Sequence, residues 1–547
     1  MSDTHEDARE HAADRRWRRG LMAAAALPPL ALAAAELYLF GDLAGFPLDD
    51  PWIHLQFARN LADGHGLTYD GSRLVAGSTA PLWTALLSLL LWLPGAVEAW
   101  VKAAGIALHV ASVGVAFGLG RRLALSRPRA ALAAALMVLA DALVWSSISG
   151  MEVPLFVLLS LAGISRHLAE RDDPRRPPVS FLLFGLAALA RPEGLLLPLL
   201  AAVDRVVVPD RDGRGLVLSG TGARRAVRGL ALAAVVIVPV ALAYLAISGS
   251  PLPTTLAAKS SGPPQWIPQL RHLGAILDFL FAALPLPTLL AAGGAAVLVG
   301  RLGGARDRGL LLPAWGFALP VASSMLSSGN ELLFGNFGRY FFPLLPVVAL
   351  LAVLGLEVVP PGALRALGLG RLRLPLAMPA VLALLLVPAA ARTLRGGGLY
   401  LQARANVEDS DVAVSDWLAA NVPPDALLGL CDIGVVKYRR PNPIVDLAGI
   451  VSPERQEFLD RMRREHGLRW PQALRLWLEQ VRPEIIVIYP RWFPLLDKDP
   501  ERFPVLHRIS IEDNVAMGGD QLVVYATPWT RPGIISELGP TAPPRVR

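Results

Sequence analysis

The residues with the most to say about chemistry stand early in the chain, in Asp49-Asp50-Pro51-Trp52-Ile53-His54. Two adjacent carboxylates directly follow an apolar run. A carboxylate kept at the edge of hydrocarbon is costly and is usually retained for function. It can take the proton of an attacking hydroxyl, and two so close titrate as a coupled pair. Ionisable groups recur at later turns on the same side of the apolar segments. His65, Tyr69, Asp70 and Arg73 share the first loop with His54, and Glu152 ends Ser149-Gly150-Met151-Glu152. Arg191 and Glu193 bracket a proline, Lys259 stands in the next loop, and Asn330, Glu331, Asn336, Arg339 and Tyr340 follow.

Arginine offers phosphate a planar two-point contact and lysine a point charge. Lys259, Arg191 and Arg339 are therefore candidates to hold a lipid-linked phosphate. His54, His65, Glu152, Glu193 and Tyr340 are candidates for substrate contact. A phosphate leaving group needs no second carboxylic acid, unlike the alcohol released in glycoside hydrolysis. The pattern fits sugar transfer at a membrane face, with Asp50 as first choice for base and Asp49 as second. Asp50 lies nearer the loop that would receive the acceptor. The other aspartate would orient the acceptor or bind a cation. Asp49, Asp50 and Glu152 offer oxygen ligands to a divalent cation, although the reading makes no metal obligatory.

Each residue also has a plainer reading. The aspartates are solvated at an interface, Arg191 pairs with its own Glu193, Arg339 anchors the aromatic run behind it, and Lys259 snorkels. Trp52, Trp83 and Trp145 read as interface aromatics. His109 and Asp141 read as satisfied polar groups within or near apolar segments. Asp432 and Asp446 follow strand-like runs and read as turn caps.

The elements that must position these groups are mostly apolar helices. Only 18% of the 547 residues are charged and 53% are hydrophobic, against about a quarter charged in soluble domains. The net charge of +7 is concentrated in short arginine-rich loops, the positive-inside pattern, which argues against nucleic acid as a partner. One cysteine, Cys431, excludes an internal disulfide framework. Residues 1–20 read as a cytoplasmic tail, and the apolar run 21–40 as an uncleaved first span. Residues 41–79 form an ordered outer loop. The run 81–93 is short for a span and reads as juxtamembrane or re-entrant. Spans follow at 100–119, 130–147, 153–168, 179–190, 195–207, 229–247, 280–300, 309–326, 340–358 and 375–392. This gives a polytopic α-helical membrane protein of about eleven transmembrane helices, residues 21–392, with the N-terminus inside. Residues 393–547 change character. Helical stretches alternate with the strand-like runs ALLGLC, PIVDL, EIIVIY and QLVVYA, which predicts an extracytoplasmic α/β domain.

The stretch DDPWIHLQFARNLADGHGLTYDGSRLVAGSTAPLWTALL resembles the first-loop signature of the GT-C fold glycosyltransferases that use polyprenyl-phosphate sugars. SGMEVPLF, LARPEG, PLPTTLAAK and GRYFFPLLP resemble later stations of that family in order, and DIGVVKYRRPNPIVDLAGIVSPE its C-terminal domain. Within the family the likeness is greatest to mycobacterial-type terminal arabinofuranosyltransferases. The resemblance implies a transferase of the bacterial inner membrane, with an aspartate of the Asp49-Asp50 pair at the catalytic position. Its partners would be a polyprenyl-phosphate sugar donor, a cell-envelope glycan or lipid acceptor, and membrane lipids. Ala76-Gly77-Ser78-Thr79 and Pro253-Thr254-Thr255-Leu256 depart from the family pattern and bear on sugar and acceptor. Three rival readings stay open: a flippase or transporter of lipid-linked sugars, a non-catalytic envelope assembly protein, and a protein glycosyltransferase.

Overall fold

The computed structural model describes residues 2–209, 216–255, 266–304, 307, 309–326, 336–359 and 374–536. Lys259, Asn330 and Glu331 lie outside them. The first part of the chain is a helical bundle: α1 (Ser2–Phe40), α2 (Asp50–Ala62), α3 (Pro81–Leu90), α4 (Val97–Arg122), α5 (Arg127–Val138), α6 (Asp141–Ile148), α7 (Val153–Asp172), α8 (Ser180–Ala190), α9 (Leu196–Val206), α10 (Gly220–Ser248), α11 (Trp266–Ala283), α12 (Pro285–Gly300), α13 (Leu311–Leu326), α14 (Leu344–Gly355) and α15 (Leu374–Val407).

Among the described residues five helices are long and apolar enough to cross a bilayer: Arg9–Phe40, Val97–Arg122, Val153–Asp172, Gly220–Ser248 and Leu382–Asn421. Two more crossings result if α5–α6, bent by 57°, and α11–α12, bent by 113°, each make one span. Length and composition thus support five to seven spans. The eleven read from hydropathy include α8, α9, α13 and α14, which fold as helices shorter than the ~20 residues a straight span needs. Helices approach closely where a side chain is missing. A Cβ on Gly105 would lie 2.1 Å from the Ser147 carbonyl oxygen, and one on Gly294 1.8 Å from that of Leu351. Such small-residue contacts let membrane helices pack backbone to backbone.

The bundle has two chemically different ends. At one, arginines of the connecting segments meet acidic partners: Arg121 and Arg127 on Asp14 at 3.2 and 2.6 Å, Arg171 on Asp204 and Asp307 at 3.0 and 3.3 Å, and Arg301 on Glu357 at 2.5 Å. At the other end lie Asp50, Glu152 and Arg191. Helix α7 runs from one end to the other, about 30 Å for its length.

After a π-helical turn at Glu408–Val412 and α16 (Ala413–Asn421), the chain builds a second hydrophobic core around a five-stranded sheet. Its strands are β3 (Leu428–Leu430), β4 (Ile444–Asp446), β5 (Ile485–Ile488), β6 (Val505–Ser510) and β7 (Gln521–Ala526), in the order β4-β3-β5-β7-β6. A short hairpin, β1 (Val207–Pro209) and β2 (Leu216–Leu218), precedes them. β3 pairs in parallel with β4 and β5, whereas β5–β7 and β7–β6 are antiparallel. β5 is buried along its whole length, as its unbroken Ile-Ile-Val-Ile run requires of a central strand. The connecting helices are α17 (Gly434–Arg439), α18 (Pro453–His466) and α19 (Trp470–Val481).

The readings of four single residues change, and that of Asp141 does not. Trp52, Trp83 and Trp145 are all buried inside protein, at 4%, 0% and 5% exposure, rather than lying at an interface. Trp83 spans from α3 to donate its indole N–H to the Gly150 carbonyl at 3.1 Å. His109 is buried on α4, but among the described residues its Nε2 has no hydrogen-bond partner, which leaves that nitrogen unsatisfied there. Asp141 does find one, Arg392 at 3.4 Å.

Candidate active site

The first loop is held between the bundle and the sheet. Pro51 opens α2, a position where its missing N–H costs nothing, and Asp50 in the first turn complements the helix dipole. On the sheet side, Tyr69 donates its hydroxyl to the Ile433 carbonyl at 2.9 Å. Arg59 donates to the Tyr438 carbonyl at 2.9 Å, with its guanidinium 3.6 Å from the centre of that ring. On the bundle side, Tyr244 of α10 donates to the Ser78 carbonyl at 2.7 Å, and Thr254 N–H to that of Ala76 at 3.0 Å.

The two aspartates have different work. Asp49 accepts the N–H of Gly434 and of Val435, both at 2.7 Å. It caps the start of α17 from a distant part of the sequence and fastens the loop to the sheet. Burial and the neighbouring Asp432 push its carboxyl well above the usual carboxylate range, despite the opposing backbone amides. Asp50 points the other way. Its Oδ1 and Oδ2 take two N–H groups of Arg339, at 2.9 and 3.2 Å, and its side chain keeps 31% of its surface exposed. This is a two-point guanidinium–carboxylate contact.

Around that pair the separate turns converge. Arg191 is 2.5 Å from Glu152 and 2.8 Å from Glu193, and His54 Nε2 lies 3.6 Å from Glu152. The Tyr340 ring bridges the two arginines, its centre 5.1 Å from the Arg191 guanidinium and 5.5 Å from that of Arg339. Burial alone would lower both arginines. The facing carboxylates more than offset it, Asp50 first for Arg339 and Glu193 then Glu152 for Arg191, so both are held firmly charged. Burial would raise Glu152, but Arg191, His54 and Arg339 hold it below the usual carboxylate range. Two buried nitrogens of the group, Arg191 Nε and His54 Nδ1, have no hydrogen-bond partner among the described residues. Buried donors without partners are rare and often mark the place of a ligand.

Seven of the residues expected from sequence, Asp50, His54, Glu152, Arg191, Glu193, Arg339 and Tyr340, thus stand in one cluster. Asp49 borders it. His65 does not join. It is exposed in the turn beyond the far end of α2, about 20 Å along the helix from Asp50. Lys259 falls outside the described residues. The Arg191–Glu193 contact satisfies the plainer reading of that turn as well, since one guanidinium serves both glutamates. Among the described residues no three His, Cys, Asp or Glu side chains are grouped to hold a metal ion. Asp50, Asp49 and Glu152 are each engaged by arginine or backbone amides instead.

Sequence reading missed two sets of residues. Asp411, in the π turn, is 1% exposed and neither of its carboxylate oxygens has a hydrogen-bond partner among the described residues. Beside it Asp432 accepts from the Tyr489 hydroxyl at 3.0 Å, and burial pushes its carboxyl up to about 6. Asp432 is therefore no turn cap, whereas Asp446 is one, taking the N–H groups of Ala448, Gly449 and Val451 at 2.7–3.0 Å. The second set lies inside the bundle. Lys102 of α4 donates to both oxygens of Glu36 on α1 at 2.7 and 2.8 Å, and Tyr400 of α15 adds a bond at 3.1 Å. Charges within apolar runs were the available signal.

Comparison with known proteins bears on the fold. Residues 399–529 match a family described as a domain of unknown function (DUF8728). No curated protein matches the chain. Among solved structures, ArnT from Cupriavidus metallidurans in the apo state aligns over 97% of this chain and 100% of its own, with a TM-score of 0.57 and 15% identity. The Archaeoglobus fulgidus oligosaccharyltransferase aligns over 86% of this chain and 69% of its own in the apo form, with a TM-score of 0.52 and 12% identity. In complex with Zn and sulfate it aligns with a TM-score of 0.53 and 13% identity. The chain is similar to these proteins in architecture and shares their fold.

Proposed function

We propose that the chain is a membrane glycosyltransferase that moves a sugar from a polyprenyl-phosphate carrier to a glycan or lipid acceptor. The observation that carries this is the Asp50–Arg339 pair, set among Arg191, Glu152, His54 and Tyr340. A lipid-linked phosphate brings two or more oxygens to the cluster. Arg339 is buried, firmly charged and presents the planar fork that phosphate favours. As it turns to the phosphate, Asp50 is released. The acceptor hydroxyl then gives its proton to Asp50 while its oxygen bonds to the anomeric carbon. The bond from that carbon to the phosphate oxygen breaks, and the lipid phosphate leaves with its charge balanced by Arg339. Arg191 and His54, each with an unmade hydrogen bond, hold the donor. Glu152 and Glu193 fix Arg191, and Tyr340 keeps the two guanidinium planes apart.

The fold shared with two glycosyltransferases supports the reaction class. The arginine-rich end of the bundle supports a cytoplasmic N-terminus and a reaction on the other face. Arabinofuranose is the sugar the sequence resemblance favours, and hexoses belong in the same test. A divalent cation would have to displace Arg339 or the amides on Asp49, and no step requires one.

The test is a transfer assay with purified protein in nanodiscs, polyprenyl-phosphate sugars of several kinds and crude envelope glycan. The wild type is expected to form product and Asp50→Asn to lose it by roughly 10²–10⁴-fold, the usual contribution of a general base. Full turnover by a folded Asp50→Asn protein would sink the assignment. Lipid-sugar translocation without a new glycosidic bond would move it to the transporter class.

A further inference from the structure

We propose a second ligand site, for the phosphate group of an anionic phospholipid, at the arginine-rich end of the bundle. A cleft of about 620 Å³ opens there between α1, α4 and α7. Five arginines line it, Arg15, Arg18, Arg121, Arg122 and Arg166, against a single aspartate, Asp14. Asp14 is taken up by Arg121 and by Arg127 from outside the cleft, and Arg166 by Glu170. Arg15, Arg18 and Arg122 make no hydrogen bond or close ion pair among the described residues, and only Arg122 has a carboxylate, Asp172, acting on it from a distance. The cleft therefore keeps two cations without an acidic partner among the described residues, Arg15 and Arg18, and a third that is only partly offset.

Apart from His11 and Ser165 the rest of its lining is apolar, with Val115, Phe117 and Ala162 forming the walls. Two glycines one turn apart on α4 shape it differently. A Cβ on Gly114 would meet the Met22 sulfur at 2.8 Å, so α1 is packed hard against α4 there. A Cβ on Gly118 would meet nothing within 4 Å. The helices diverge from that point and leave a space floored by bare backbone. Cations at the mouth and an apolar interior between membrane helices suit a phosphate that carries acyl chains. Lone phosphate would use the arginines and leave the walls unused. α7 separates this cleft from the candidate active site by most of its length, so the two readings fail independently.

Full-length protein in a neutral detergent would be examined by native mass spectrometry with phosphatidylglycerol, with phosphatidylcholine, and with phosphatidylglycerol plus inorganic phosphate. The wild type is expected to retain one phosphatidylglycerol at least tenfold more strongly than phosphatidylcholine. Arg18→Ala with Arg122→Ala should abolish that preference. Gly118→Leu should block the same lipid with every charge in place, since the helix has room for the side chain. Displacement by inorganic phosphate would assign the site to the phosphate group alone, and no displacement to the whole lipid. Equal retention of the two lipids overturns the proposal. So does undiminished phosphatidylglycerol in both variants, which would leave the arginines with no role beyond setting the orientation of the chain.

Discussion

At the scale of single residues, the adjacent aspartates divide two tasks that the sequence presents as interchangeable. Asp49 is a fastener and Asp50 faces the arginines, because successive residues at the start of a helix point in different directions. The fastening depends on Gly434. A Cβ there would lie 2.2 Å from the Asp49 carbonyl oxygen and 2.6 Å from its Oδ1. Gly434→Ala is accordingly expected to push the loop off α17 and to cost about 1–3 kcal/mol, the usual cost of overpacking. Thermal unfolding would register that loss, and limited proteolysis should find new cleavage between residues 63 and 74. An alanine protein as stable and as protected as wild type would show that the cap contributes nothing. Residue types and their order made the cluster legible. What stayed hidden was partnership: no pattern in the sequence says that Arg339 reaches Asp50, 289 positions away. His65 looked equivalent to His54, yet helix α2 carries it to the wrong end.

At the scale of elements, α1, α4 and α15 are tied by the Glu36–Lys102 pair and Tyr400, all buried. Taking one partner from a buried ion pair leaves an uncompensated charge and typically costs 3–5 kcal/mol, whereas replacing both by apolar groups is far milder. Glu36→Gln alone should therefore lower stability by about that range, and Glu36→Leu with Lys102→Met should recover most of it. A double-mutant cycle read by thermal unfolding in detergent checks both, and additive losses would refute the coupling. Helices were legible from apolar runs, and strands from their β-branched runs and breakers. Span number was not. Hydropathy marks an apolar segment without saying whether it continues, bends by 57° as α5–α6 does, or stops after three turns beside neighbours that cover its ends.

At the scale of the whole molecule, the bundle and the sheet meet across the half-buried carboxylates Asp49 and Asp432, with the buried Asp411 beside them. Burial first, then mutual repulsion, raises Asp49, and burial raises Asp432 to about 6. An acid whose folded pKa lies above its unfolded value of 3.8 holds more protons when folded. Its contribution to stability is fully present below pH ~4 and is lost as pH rises through about 6. The joined structure should thus loosen between pH 4 and pH 7 as far as these groups govern it. Asp432→Asn should flatten that part of the profile, raising the unfolding temperature at pH 8 and leaving it little changed at pH 4. An unaltered slope in the variant would show that these carboxylates do not link the two parts. Sequence reading took Asp432 for a turn cap because neighbours supplied by folding, Tyr489 and Asp411 among them, are invisible along the chain.

The Asp50–Arg339 pair carries one more consequence, for the timing of the reaction. While the two are joined, the carboxylate that would deprotonate a hydroxyl is occupied. Under the proposed function, the competitor able to draw Arg339 away would be the phosphate of the donor itself. Water or acceptor arriving first meets a base already engaged. Under the same proposal the contact would work as an interlock: the donor would unlock the base, the acceptor would follow, and the departing lipid phosphate would hand Arg339 back to Asp50. Substrate order, and protection of the donor from wasteful hydrolysis before it is seated, would then be written into a single pair of side chains.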